Sequence, residues 1–126
     1  MTTPADDRGP DDDGTARERL LAVRAEAAAR LQALRADVAG IVEASRDSNA
    51  DDEHDPDGAT IAFERAQVDA LARDAAARVE EVDLALARVD TGTYGVCEAC
   101  GQQIAAGRLE ARPTARTCVA CASAAR

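Results

Sequence analysis

From Thr15 to about Asp47 the residues Leu20, Ala27, Leu34 and Ile41 recur every seven positions, with Leu31 and Val38 interleaved. That period lays the apolar positions along one stripe of a helix. The stretch holds no proline, and its only glycine, Gly40, lies near its end. A second series runs through Ile61, Val68, Ala75, Val82 and Val89, joined by Ala72, Val79 and Leu86. Glu64, Arg65, Asp69, Arg73, Asp74, Arg78, Glu80 and Glu81 fall on its other faces. This predicts a helix of about thirty residues, or about 45 Å at the usual rise. Two helices of similar length, each with one narrow apolar stripe and a short connection between them, form an antiparallel hairpin. Asp55 suits the N-cap of the second helix with Pro56 at its first position, and a start two residues later with Asp57 as cap is the alternative. Thr91-Gly92-Thr93-Tyr94-Gly95 ends that helix and turns the chain.

Composition narrows the fold. The chain has 126 residues and is 46 % hydrophobic, but much of this is alanine, with no Trp, one Phe (Phe63) and one Tyr (Tyr94). Such a chain builds a helix–helix seam rather than a wide core, and a bound metal would add stability that the core lacks. Residues 1–14 combine Pro, Gly and Asp with almost nothing to bury and are expected to be a disordered acidic tail. The expected architecture is therefore mainly α: the tail, an antiparallel helical hairpin (coiled coil) over 15–90, and a cysteine-punctuated segment with a short C-terminal helix over 91–126.

The net charge of −9 argues against a free nucleic-acid binder, which needs a phosphate-neutralising surface. It fits a partner that presents positive charge, or a bound metal. No apolar run reaches signal-peptide or membrane-spanning length, so a cytoplasmic protein with no membrane partner is expected.

Four cysteines in a reducing compartment are better read as metal ligands than as disulfides. They stand as Cys97-Glu-Ala-Cys100 and Cys118-Val-Ala-Cys121, with seventeen residues between the pairs. Each C-x2-C turn supplies two thiolates to one ion, and two such turns complete a tetrahedral site for Zn²⁺. Gly101 suits the left-handed turn of such a knuckle. A redox C-x2-C centre would need a βαβ context, and the paired spacing favours zinc over an iron–sulfur cluster. With four protein ligands no position stays open for an activated water, so a single structural Zn²⁺ is expected, and residues 91–126 read as a four-cysteine zinc finger.

The connection between the helices, residues 49–60, gathers Asp51, Asp52, Glu53, Asp55 and Asp57 at the expected hairpin tip. It reads either as a solvated polar loop or as a probe carrying negative charge to a basic or Mg²⁺-containing site. Glu53-x-Asp55-x-Asp57-Gly58 followed by Glu64 partly imitates a calcium EF-hand loop, but Pro56 sits inside it and no second copy exists. His54, the only histidine, has no partners for catalysis and is expected to be an exposed loop residue. No Ser/His/Asp or Cys/His set and no phosphate-cradling glycine loop is present, so the chain is not expected to be an enzyme, and no catalytic residue is assigned.

These residues together resemble a known family. A helical hairpin with Asp57-x-Ala59 at its tip, then Tyr94-Gly95-x-Cys97-x2-Cys100-Gly101, Arg108-Leu109-Glu110-Ala111-Arg112-Pro113-Thr114-Ala115 and Cys118-x2-Cys121, is similar to the DksA/TraR family. The resemblance runs from about Asp51 to Cys121 and is weaker over the first helix. It implies a transcription regulator that binds bacterial RNA polymerase rather than DNA, with the coiled coil in the secondary channel and the tip near the catalytic centre. By this resemblance Asp57 is the acidic tip residue, Ala59 the small residue beside it, and the four cysteines the zinc ligands.

Departures from the family pattern limit the carry-over. Members that respond to the alarmone (p)ppGpp carry basic residues where this chain has Asp74, Glu81 and Ala122, although Arg112 matches. Acidic groups repel a polyphosphate, so alarmone dependence is expected to be weak or absent. Arg108 and Arg116, with Arg112, are expected to dock on the polymerase or to pair with nearby acids. The chain is expected to act as a monomer. The alternative reading is a zinc-stabilised protein-interaction adaptor without polymerase activity.

Overall fold

The computed structural model describes residues 10–49 and 56–125. Among the described residues four helices follow in order: α1 Pro10–Asn49, α2 Pro56–Thr91, α3 Ala106–Ala111 and α4 Val119–Ala124. Among the described residues there is no strand, only an isolated antiparallel bridge between Val96 and Gln103. The architecture is the expected helical hairpin followed by a cysteine-rich finger.

The first helix starts earlier than its apolar pattern implies. It begins at Pro10 rather than Thr15, so residues 10–14, expected within a disordered tail, are helical. Proline suits a first helical position, since its φ is already helical and its missing N–H would have had no partner there. The second helix starts at Pro56, the first of the two expected positions, and not after Asp57. Asp55, the expected cap, lies outside the described residues, as do residues 1–9, Asp51, Asp52, Glu53 and His54. From Pro56 onward the EF-hand-like series is helix rather than loop, which removes the backbone that a calcium loop requires.

The chain divides into two compact units. One holds residues 25–79, the other the chain up to Arg24 together with Glu80–Arg126. In the 25–79 unit Ala27, Leu34 and Ala75 are buried, while Leu31, Val38, Ile41, Ile61, Val68, Ala72 and Val79 are half-buried. Every seam position named from the sequence in this unit is thus at least partly withdrawn from water. The seam is shallow because alanine and valine stems reach only a short way between helices.

Gly40 sits on α1 facing an open groove lined by Ala36, Asp37, Ile41, Ala44, Ile61, Glu64 and Val68. A Cβ placed on Gly40 would meet nothing within 4 Å. Gly40→Ala is therefore expected to stabilise the hairpin by about 0.5–1 kcal/mol through helix propensity alone. Thermal melting followed by circular dichroism tests this, and an unchanged or lower midpoint refutes it.

In the second unit Leu20 and Val82 are fully buried, and they join Ala16, Ala85, Val89, Tyr94, Cys97, Ile104 and Leu109 in one core. Two ion pairs link α1 to α2 here, Arg17 with Asp90 and Arg24 with Asp83, the latter at 2.7 Å. Seven residues forward on α1 match seven back on α2, the register of two antiparallel heptad helices. The Asp83 carboxylate holds Arg24 above its usual pKa, and Arg24 in turn holds Asp83 below its own. Both pairs face solvent, so they set register more than stability.

Candidate metal centre

α2 ends in a Schellman motif that launches the finger. The N–H of Thr93 donates to the Arg88 carbonyl at 2.8 Å and that of Gly92 to Val89 at 3.2 Å. Gly92 has φ +78°, a left-handed conformation that a side chain would strain. The chain then folds back on itself. Ile104 N–H donates to the Gly95 carbonyl at 2.8 Å, and Cys97 N–H donates to the Gln102 carbonyl at 2.8 Å. Between them Gly101, at φ +76°, closes the first knuckle, and its N–H donates to the Cys97 carbonyl at 2.9 Å. The left-handed turn expected of Gly101 is present.

The second knuckle is a helix start. Cys118 is the N-cap of α4, and its sulfur accepts the Cys121 N–H at 3.5 Å. Three contacts hold this segment against the first knuckle and α3. Glu98 N–H donates to the Arg116 carbonyl at 2.9 Å, the Arg116 guanidinium meets the Glu98 carboxylate at 3.0 Å, and Arg108 Nε donates to the Thr117 carbonyl at 2.8 Å. Tyr94 is buried, and its hydroxyl donates to the Pro113 carbonyl at 2.7 Å.

The sulfurs of Cys97, Cys100, Cys118 and Cys121 consequently lie within 4.8 Å of one another. Four sulfurs at the Zn–S distance in a tetrahedron are separated by about 3.8 Å. The Cys100–Cys118 sulfur separation is 3.9 Å, far beyond a disulfide bond, and all four thiols are free. The donor set and its spacing fit one structural Zn²⁺ held by all four residues. Cys97 is buried and Cys100 exposed, so the site has a dry side built on the core and a wet one.

The thiols differ in acidity. Backbone N–H groups of Cys118, Cys100 and Ala99 favour the Cys97 thiolate, led by Cys118, and pull its pKa down to about 6. Hydrogen bonds to Cys118, Cys100 and Cys97 favour the protonated form of Cys121, which is pushed up to about 12. Cys97 thus gives up its proton more readily than Cys121.

The structure brings the four sequence-predicted ligands together. Asp57 and Ala59 lie elsewhere, in the first turn of α2, where Ala59 is exposed. Of the arginines, Arg116 pairs with an acid as expected, Arg108 binds a carbonyl, and Arg112 is exposed. The sequence reading missed the tether from Tyr94 to Pro113. Its only trace was a lone tyrosine in an aromatic-poor chain, and a buried phenol needs a partner.

Residues 92–125 match the family described as the prokaryotic dksA/traR C4-type zinc finger. The chain is 42 % identical over 72 residues to General stress protein 16O of Bacillus subtilis, a match covering 57 % of this chain and 44 % of that protein. It is 42 % identical over 43 residues to the RNA polymerase-binding transcription factor DksA of Haemophilus influenzae, covering 34 % and 30 % respectively. The matched segments thus span less than half the length of these relatives. The fold is similar to that of the transcription factor DksA2 from Pseudomonas aeruginosa, with a TM-score of 0.80 and 24 % identity over 97 % of this chain and 88 % of that one.

Proposed function

We propose that the chain, whose residues 92–125 match the dksA/traR zinc finger, acts as a member of the DksA/TraR family, binding bacterial RNA polymerase through the secondary channel and altering the initiation complex there without reading DNA sequence. The observation that carries this is the pairing of the four-cysteine finger with Asp57 and Ala59 in the first turn of α2, a helix unbroken from Pro56 to Thr91. An acidic group presented by helical backbone enters a narrow pore at a smaller entropic penalty than one on a flexible loop. The single methyl of Ala59 leaves room for close approach. Asp57 carries the negative charge toward a basic or Mg²⁺-containing centre, and the zinc keeps the finger folded rather than performing chemistry.

The net charge of −9 suits docking on a protein and disfavours direct binding to a nucleic acid. No described helix is long and apolar enough to cross a membrane. The proposed site of action is the cytoplasm, where the polymerase is. Asp74 is exposed, Glu81 accepts a hydrogen bond from the Thr114 hydroxyl at 3.4 Å, and neither offers a cation to (p)ppGpp. Alarmone dependence of the proposed action is therefore weak or absent.

Reconstituted transcription tests the reading. The zinc-loaded protein is expected to bind core polymerase and to change open-complex lifetime, and Asp57→Asn to keep binding while losing most of that effect. An Asp57→Asn protein as active as wild type would remove the tip from the mechanism. Failure of the wild type to bind would leave the adaptor reading in its place.

A further inference from the structure

Within the 25–79 unit α2 carries a second apolar face. The seam side presents Ile61, Val68, Ala72 and Ala75. The opposite side presents Ala59, Phe63, Ala66 and Ala70, which lie on one stripe at helical spacing and are all exposed. Phe63 is the only phenylalanine in the chain, and it is 66 % exposed. The residues one turn away on either side, Ala59, Thr60, Ala66 and Gln67, carry no charge. A lone aromatic ring standing out of a bed of methyl groups has the chemistry of an interface anchor: large area, few rotatable bonds, and a flat neutral surround that excludes water once covered.

Charge decides what can cover it. Residues 25–79 hold twelve carboxylate side chains against six arginines. A second copy would bring the same negative field to the contact, and nucleic acid and anionic lipid would do likewise. The complementary occupant is a protein surface with an apolar pocket rimmed by lysine or arginine. Ala59 links this stripe to the tip, because Phe63 lies one turn further along the same face.

We infer that Phe63 is an affinity anchor, seated in an apolar, basic-rimmed pocket of the polymerase that receives Asp57. This rests on the reading given under the proposed function. Phe63 supplies residence on the enzyme, whereas Asp57 supplies the effect once bound.

Titration of core RNA polymerase against labelled full-length, zinc-loaded protein tests it. Phe63→Ala is expected to raise the dissociation constant about tenfold or more. Phe63→Leu, which keeps an apolar side chain, should recover most of the affinity. Both should melt like the wild type, since Phe63 lies outside the seam. At saturating concentration Phe63→Ala should restore the full change in open-complex lifetime, which Asp57→Asn cannot do at any concentration. Wild-type affinity in Phe63→Ala overturns the anchor and leaves the channel reading standing. A wild-type protein that does not bind the core enzyme overturns both. A Phe63-dependent dimer in sedimentation equilibrium, with polymerase affinity unaffected, assigns the face to a second copy instead and also overturns the proposal.

Discussion

Cys97→Ser is expected to abolish stoichiometric zinc binding and to unfold the finger. Cys97 is 1 % exposed, and it is both a ligand and a member of the core that contains Leu20, Val82, Tyr94, Ile104 and Leu109. A serine hydroxyl at this site is a poor zinc ligand and leaves an uncompensated polar group against apolar neighbours. Structural zinc contributes an apparent binding energy of roughly 10–16 kcal/mol in isolated fingers, so losing a ligand outweighs what any single packing contact here supplies. Metal analysis should fall from one zinc per chain to near none. Emission from Tyr94, the only tyrosine in a chain without tryptophan, should report the loss of the finger. Equimolar zinc in the variant would sink the assignment.

Acid should produce the same result in the wild type. Zinc needs all four thiolates and displaces their protons, so affinity rises with pH. The Cys97 pKa lies below its ordinary value of 9.0, at about 6. Its thiolate therefore favours the folded finger fully above the ordinary value, and this contribution is lost as the pH falls through the lower one. The raised pKa keeps Cys121 protonated over a wider pH range, so its proton is one that the ion must expel.

Leu20→Ala is expected to destabilise the protein by about 2–5 kcal/mol, a large share of the roughly 5–15 kcal/mol available to a small domain. Leu20 is fully buried, as is Val82, which belongs to the same core, and the alanine-rich helices around them have few long side chains able to collapse into the gap. Because Tyr94 and Cys97 share that core, helix loss by circular dichroism and Tyr94 emission should move to lower temperature together. Leu21 is the control. It is 48 % exposed, and Leu21→Ala should change stability by about 0.5 kcal/mol or less. A Leu20→Ala protein that melts with the control would place the core elsewhere.

The features that were legible beforehand share one property: each is a short-range pattern. The heptads named Leu20, Leu34, Val82 and Val89, all of which are buried. The Thr91–Gly95 stop appears as a Schellman turn, and the C-x2-C pairs appear as knuckles, because a hydrogen-bonded turn or a chelate involves only a few consecutive residues. The roles of Asp57 and Ala59 were not legible in this way. They come from family resemblance, since a carboxylate on a helix end has no local signature of what it meets.

The sequence by itself determined the two long helices, the seam, the four thiolates and the metal that suits them, because periodicity and ligand spacing are set by covalent geometry. The tertiary structure decided that the finger and the start of α1 share one core, with Ala16 and Leu20 in the same cluster as Cys97, Ile104 and Leu109. It also decided that Tyr94 ties to Pro113, and that Phe63 faces outward while Ile61 faces the seam. These depend on which surfaces meet across tens of residues. That choice belongs to packing, where total apolar burial settles the matter and no local period encodes the answer.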